Sequence, residues 1–152
     1  MRQIVLAVLL VAAIGCGGGG GGGNPTGPST SIPNVVGSYN GNLTLTFPEV
    51  PITFNCIAST TVTQSGATVS IAPLTLKAGS SQCNSLGTVP VGQVTIDATG
   101  AFPNESGTYN EPSCGVYSYV GSGGFFGRDF KFSMTATSAS CLNFNIAATL
   151  TR

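Results

Sequence analysis

Phe130-Lys131-Phe132-Ser133-Met134-Thr135-Ala136 and, after a Ser/Ala-rich turn, Leu142-Asn143-Phe144-Asn145-Ile146-Ala147-Ala148-Thr149-Leu150 decide the fold of this chain. Every second residue is apolar, and the residues between are polar or small. A period of two is the signature of a strand with one dry face and one wet face. Two such strands joined by a short turn make an antiparallel hairpin. The same period extends upstream. Val116 to Phe126 leads into this pair through Gly127-Arg128-Asp129, where the charges Arg128, Asp129 and Lys131 read as a turn that keeps a sheet edge soluble.

Nearer the start, Tyr39, Leu43, Leu45 and Phe47 share one strand face, with Thr44 and Thr46 on the other. Phe54 to Thr63 forms a second strand, and Gln64-Ser65-Gly66 turns it into a third, Ala67 to Leu76, in which Pro73 implies an edge or a bulge. Val89 to Ala98 follows, with Val94, Ile96 and Ala98 in phase, and then a short Ala101-Phe102. After residue 33 the helix formers never gather at a period of 3.6. The expectation is an all-β domain, a small antiparallel meander barrel or β-sandwich of seven to eight strands, with the succession of hairpins favouring the barrel. Thr61-Val62-Thr63-Gln64-Ser65-Gly66 running into Ala67-Thr68-Val69 is similar to hairpins of lipocalin-like bacterial lipoproteins. That resemblance implies a barrel able to carry a small hydrophobic ligand.

The first 33 residues do not belong to the domain. Met1-Arg2-Gln3 precedes eleven apolar residues, Ile4 to Ile14, and the segment closes on Ala13-Ile14-Gly15-Cys16. Eleven apolar residues are too few for a helix that needs about 20 to span a bilayer. The motif resembles the signal of bacterial lipoproteins, with Ala13 where the family usually has Leu. The resemblance implies that residues 1–15 are removed and that Cys16 is acylated with palmitate-type chains and anchors the protein in the membrane. Gly17 stands where an Asp would retain such a protein in the inner membrane of a Gram-negative cell, so the resemblance points to the outer membrane. Residues 16–33, seven glycines followed by a Pro-rich run, form a tether that holds the domain about 20–25 Å from the lipid. Residues 34–152 are then the single β domain.

Beyond Cys16 there are four cysteines: Cys56, Cys83, Cys114 and Cys141. In an exported domain four cysteines mean disulfides, and three pairings are open. Cys56 to Cys83 and Cys114 to Cys141 each span 27 positions, each enclosing a strand, a turn and a strand that return the chain to one end of the sheet. Sequential pairing is expected. With no histidine and no Cys-x-x-Cys, a metal site is not.

Composition narrows the chemistry further. Residues 16–152 carry Lys77, Arg128, Lys131 and Arg152 against Glu49, Asp97, Glu105, Glu111 and Asp129, a net charge of about −1 with no basic cluster for nucleic acid. The lack of histidine removes Ser-His-Asp and Cys-His catalysis. Glu105 and Glu111, the nearest pair of carboxylates, sit in an Asn/Ser/Gly/Pro-rich run and read as solvated loop charges rather than as a glycosidase pair. No enzyme, cofactor or metal is expected. Tyr117, Tyr119, Phe130 and Phe132 are candidate ligand-lining residues, with packing of a filled core as the preferred reading. Two functions remain. One is a lipid-anchored, non-enzymatic envelope module that binds a protein or glycan or serves a structural role; the other is a lipocalin-like carrier of a small apolar ligand. Bulky Phe130, Phe132, Met134, Leu142, Phe144, Ile146 and Leu150, set against small Ala58, Thr60 and Ala67, favour the first and predict no pocket of ligand size.

Overall fold

The computed structural model describes residues 31–77, 83–84, 88–89 and 91–152. The signal-like segment, Cys16 and the tether as far as residue 30 lie outside the described residues.

Among the described residues ten β-strands follow one another: β1 (Gly37–Phe47), β2 (Ile52–Ser65), β3 (Thr68–Ile71), β4 (Leu74–Lys77), β5 (Thr88–Val89), β6 (Gly92–Thr95), β7 (Ala101–Glu111), β8 (Gly115–Phe126), β9 (Asp129–Ser138) and β10 (Phe144–Thr151). All pairings are antiparallel, and the order across the sheet is β5-β4-β2-β1-β10-β9-β8-β7, with β3 on β2 and β6 on β3. The ten segments reduce to eight strands because two of them are interrupted. β3 and β4 run one after the other along β2, separated by Ala72-Pro73, where the register against β2 slips by one residue. Proline cannot donate to a ladder, so the expected bulge sits at Pro73. The Thr60 hydroxyl donates to the Ala72 carbonyl there (2.6 Å). β5 and β6 pair with β4 and β3 in the same interrupted fashion.

The result is a meander whose first strand pairs with its last: Asn40 to Thr46 of β1 faces Asn145 to Thr151 of β10. The sheet curls into a half-barrel that is closed between the two ends of the chain and open in the middle of it, since β6 and β7 are not paired. The alternation read from the sequence holds. Tyr39, Leu43 and Leu45 of β1, Phe130 and Ala136 of β9, and Ile146, Ala148 and Leu150 of β10 are buried on the concave side. Phe130 is fully buried and stacks on Phe125 at 4.6 Å, with Tyr39 edge-on at 6.1 Å. Ile32 and Pro33, read from the sequence as the end of a tether, touch the domain: Ile32 packs on the core, and the Pro33 carbonyl accepts from Gln64 Nε2 at 3.0 Å.

Both disulfides are those the spacing predicts, Cys56–Cys83 and Cys114–Cys141, with Cα–Cα distances of 5.7 and 5.4 Å. The second ties the β7–β8 turn to the β9–β10 turn.

Four details differ from the sequence expectation. Residues 101–111 form a full strand rather than a short Ala101-Phe102 and a loop. Ala98 is exposed, in the turn between β6 and β7. Leu142 precedes β10 instead of starting it and is 43 % exposed, so it is not part of the core. The Arg128-Asp129-Lys131 turn joins two interior strands; the edges of the sheet are β5 and β6 on one side and β7 on the other.

Candidate functional site

The unpaired seam between β6 and β7 is the origin of the site. At one end these strands are held together. Asp97 N donates to the Ala101 carbonyl (2.8 Å), and the Asp97 carboxylate accepts from the Thr99 hydroxyl (2.6 Å), Thr99 N (2.8 Å) and Ala101 N (3.0 Å). The Thr99 hydroxyl bond is the largest of the effects that hold this carboxyl below the usual aspartate range. Away from this turn the strands are unpaired, and a cleft of about 220 Å³ opens between them toward the end that carries the Cys114–Cys141 disulfide.

Three walls make the cleft. β5 and β6, with the residues between them, contribute Val89, Val91 and Val94. β8 to β10 contribute Tyr117, Tyr119, Phe132, Met134, Phe144 and Ile146. β7 contributes Phe102, Glu105, Tyr109 and Glu111. A bulge decides the last set. Phe102 faces Gly123 and Glu105 faces Gly121, so Pro103 and Asn104 together stand opposite one residue, Ser122. The extra residue resets the phase and brings Glu105, Gly107, Tyr109 and Glu111 to the concave side beside Phe102. Space comes from glycine. The Tyr119 ring lies so close over Gly107 that a Cβ there would meet its hydroxyl at 2.6 Å, and Gly121 leaves the β8 wall without a side chain.

Of the four candidate ligand-lining residues, Tyr117, Tyr119 and Phe132 line this cleft, whereas Phe130 is sealed in the core behind it. The expectation of a filled interior therefore fails at this end: the glycines and the unpaired seam remove the atoms that would fill it. The expectation that Glu105 and Glu111 are solvated loop charges also fails. Both lie on a strand and face the cleft, and Glu111 is only 6 % exposed. Ser113 N donates to Glu111 Oε2 (2.8 Å), so this carboxylate also caps its own turn. A third acid, Glu49, accepts from Asn143 N and Asn143 Nδ2 at the neighbouring turn.

Tyr109 was not singled out by the sequence reading. It stacks on Tyr117 at 5.0 Å, with the planes 7° apart. Tyr117 donates its hydroxyl to the Leu142 carbonyl at 3.1 Å. The Tyr109 hydroxyl is buried and pairs with nothing among the described residues. All four tyrosines have their phenol pKa raised, each chiefly by burial. At Tyr109 the neighbouring Tyr117 and Glu111 add to it, at Tyr117 Glu111 and Glu49, and at Tyr119 Glu105, while Arg152 opposes the rise at Tyr39.

An expected result follows for Tyr109→Phe. An unsatisfied buried hydroxyl costs about 1–3 kcal/mol, so the ligand-free variant should be about 1 kcal/mol more stable than the parent in urea unfolding. The pH dependence has a definite sign. A phenol pKa raised in the folded state is stabilising below the unfolded value of about 10. That contribution is lost as pH climbs from there through the folded pKa. Stability should fall on the alkaline side of pH ~10, less steeply in Tyr109→Phe. A destabilised variant with an unchanged alkaline limb would mean that the hydroxyl has a partner.

A second hollow, of about 370 Å³, lies on the convex face between Thr44, Thr46, Thr135 and Asn145. Its walls mix solvent-facing Thr and Asn with Val120, Met134 and Ile146 but hold no aromatic ring, so the aromatic-walled cleft is the better ligand site despite its smaller volume. Among the described residues no group of three or more His, Cys, Asp and Glu side chains is placed to hold a metal ion.

Compared with protein-family models, curated proteins and solved structures, the chain matches none.

Proposed function

We propose that this protein is a lipid-anchored, non-enzymatic module of the bacterial cell envelope, carried on the outer membrane, whose half-barrel binds a small apolar molecule in the β6/β7 cleft. The cleft carries this reading. An aromatic-walled opening bounded by Tyr117, Tyr119 and Phe132 is what a carrier requires and a filled structural core lacks. It moves the carrier ahead of the module that binds a protein or glycan. The volume limits the occupant. About 220 Å³ is below the ~300 Å³ at which pockets for drug-sized ligands begin, yet a dry cavity of about 150 Å³ suffices for benzene. A single ring with a short chain suits it, and a long fatty acid does not. Anchoring is supported by Ala13-Ile14-Gly15-Cys16 and the glycine tether. The absence of histidine and the pairing of four of the five thiols support a non-catalytic role.

The protein-partner reading has one observation in its favour. Val116 and Val120 are exposed on the outer face of β8, next to the edge strand β7. Such an apolar strip beside an open edge suits strand addition.

Native mass spectrometry of the full chain, expressed in a bacterium and extracted in detergent, tests the proposal. The expected species has lost residues 1–15, carries acyl chains on Cys16 and retains a small apolar adduct. Cys16→Ser should remain unprocessed. Equal processing and acylation of Cys16→Ser and the parent chain would refute the anchor.

A further inference from the structure

The charge around the cleft is one-sided. Among the described residues, Glu105 and Glu111 are the only charged side chains in its lining. The four cations among the described residues are elsewhere. Arg152 donates to the Asn34 and Val36 carbonyls, Arg128 to the Arg152 carbonyl, and Lys131 pairs with Asp129 at 3.5 Å, all near the opposite end of the half-barrel. Lys77 ends β4 on its exposed face. Between the two glutamates in sequence, Tyr109 turns a ring that is 6 % exposed toward the cleft, with its hydroxyl buried and unpaired among the described residues. Glu111 has one oxygen engaged by Ser113 N.

We infer that the occupant of the cleft is a protonated amine with a small apolar body, its ammonium seated beside Tyr109 and Glu111 and its body against Met134 and Phe144; this rests on the cleft being a ligand site. Three physical points carry it. A buried hydroxyl without a partner accepts an N–H donor and ceases to be unsatisfied. Carboxylates facing an apolar cavity carry a desolvation cost that an ammonium offsets and a neutral or anionic ligand does not. Tyrosine faces within reach of a cation add attraction that they would not give an uncharged group.

A competing role exists for the same glutamates. β7 is an edge strand, and inward-pointing charges on an edge hinder pairing with another chain. That role is indifferent to the sign of the charge and to any ligand, which makes the two separable.

The test uses three ligands with one body: phenylbutylamine, phenylbutanol and phenylbutyrate, titrated calorimetrically into the full chain at neutral pH. The amine should bind at least about tenfold more tightly than the alcohol, with the acid weakest. Glu111→Gln, which keeps an acceptor for Ser113 N, should bring amine and alcohol together. Glu105→Lys, at a half-exposed site that tolerates change, reverses the charge at the other end of the cleft and should narrow the amine preference while leaving the edge charged, and it decides the matter if Glu111→Gln does not fold. Equal binding of the three ligands, or a preference for alcohol or acid in the parent, overturns the amine assignment and leaves the cleft as an apolar site. No binding of any of the three overturns both. An amine preference unchanged in both variants removes the glutamates from it.

Discussion

Phe130→Ala should cost the domain about 3–5 kcal/mol, the usual range for emptying a fully buried aromatic position. Phe130 is fully buried, stacks on Phe125 and Phe132, and meets Tyr39 and Phe102 at 6.1 and 6.4 Å. It is the point where β1, β7, β8 and β9 share side chains, so no neighbour can close the gap without moving a strand. Small domains are stable by only about 5–15 kcal/mol, and the variant should lose a large part of that margin in urea or thermal unfolding. Phe132→Ala, half-buried at the cleft wall, should cost distinctly less. Equal costs would mean that the core does not centre on Phe130.

Loss of either disulfide should be nearly as severe. Each closes a loop of 27 positions, worth about 3–4 kcal/mol by chain entropy. The two should differ in what else they disturb. Cys56–Cys83 lies in the main core with both residues buried, so its double Ala variant should destabilise the fold without changing the cleft specifically. Cys114–Cys141 joins the two turns at the cleft end, and Cys114 lines the cleft. The Cys114→Ala/Cys141→Ala variant should weaken ligand binding beyond its loss of stability. Unfolding curves with intact and reduced protein, read beside a binding titration, check both.

How much of this was legible in the sequence depends on where the period of two survives. β1, β9 and β10 alternate cleanly, because one face is dry and the other wet along the whole strand, and their inward residues were assigned correctly apart from Leu142. The disulfide pairing was legible because equal spacing reflects two ribbons of similar length. β7 was not. Pro103-Asn104-Glu105-Ser106-Gly107 carries residues disfavoured in strands, yet an edge strand tolerates a proline that does not need to donate. The bulge at Pro103 and Asn104 then breaks the phase that would have connected Phe102 with Tyr109 and Glu111. A signal was present all the same. Glu105, Gly107, Tyr109 and Glu111 are in phase with one another, and the last two alternate with Asn110. The cleft itself was hidden for a different reason. It depends on β6 and β7 failing to pair, and on Gly107 and Gly121 standing at inward positions that a side chain would otherwise fill. Both are properties of closure rather than of any single segment.

The central claim is that the seam between β6 and β7 is a ligand site. It is tested most directly by an NMR titration of the isotope-labelled full chain with phenylbutylamine and phenylbutanol, beside a Val91→Trp variant that fills the cleft from its β5/β6 wall. The predicted result is a saturable, single-site set of shifts centred on the amides of Tyr109, Tyr117 and Tyr119, which line the cleft and not the convex hollow, absent from the Val91→Trp variant while its fold is retained. Shifts that do not saturate, that spread over the convex face around Thr44 and Asn145, or that persist unchanged in Val91→Trp would contradict it.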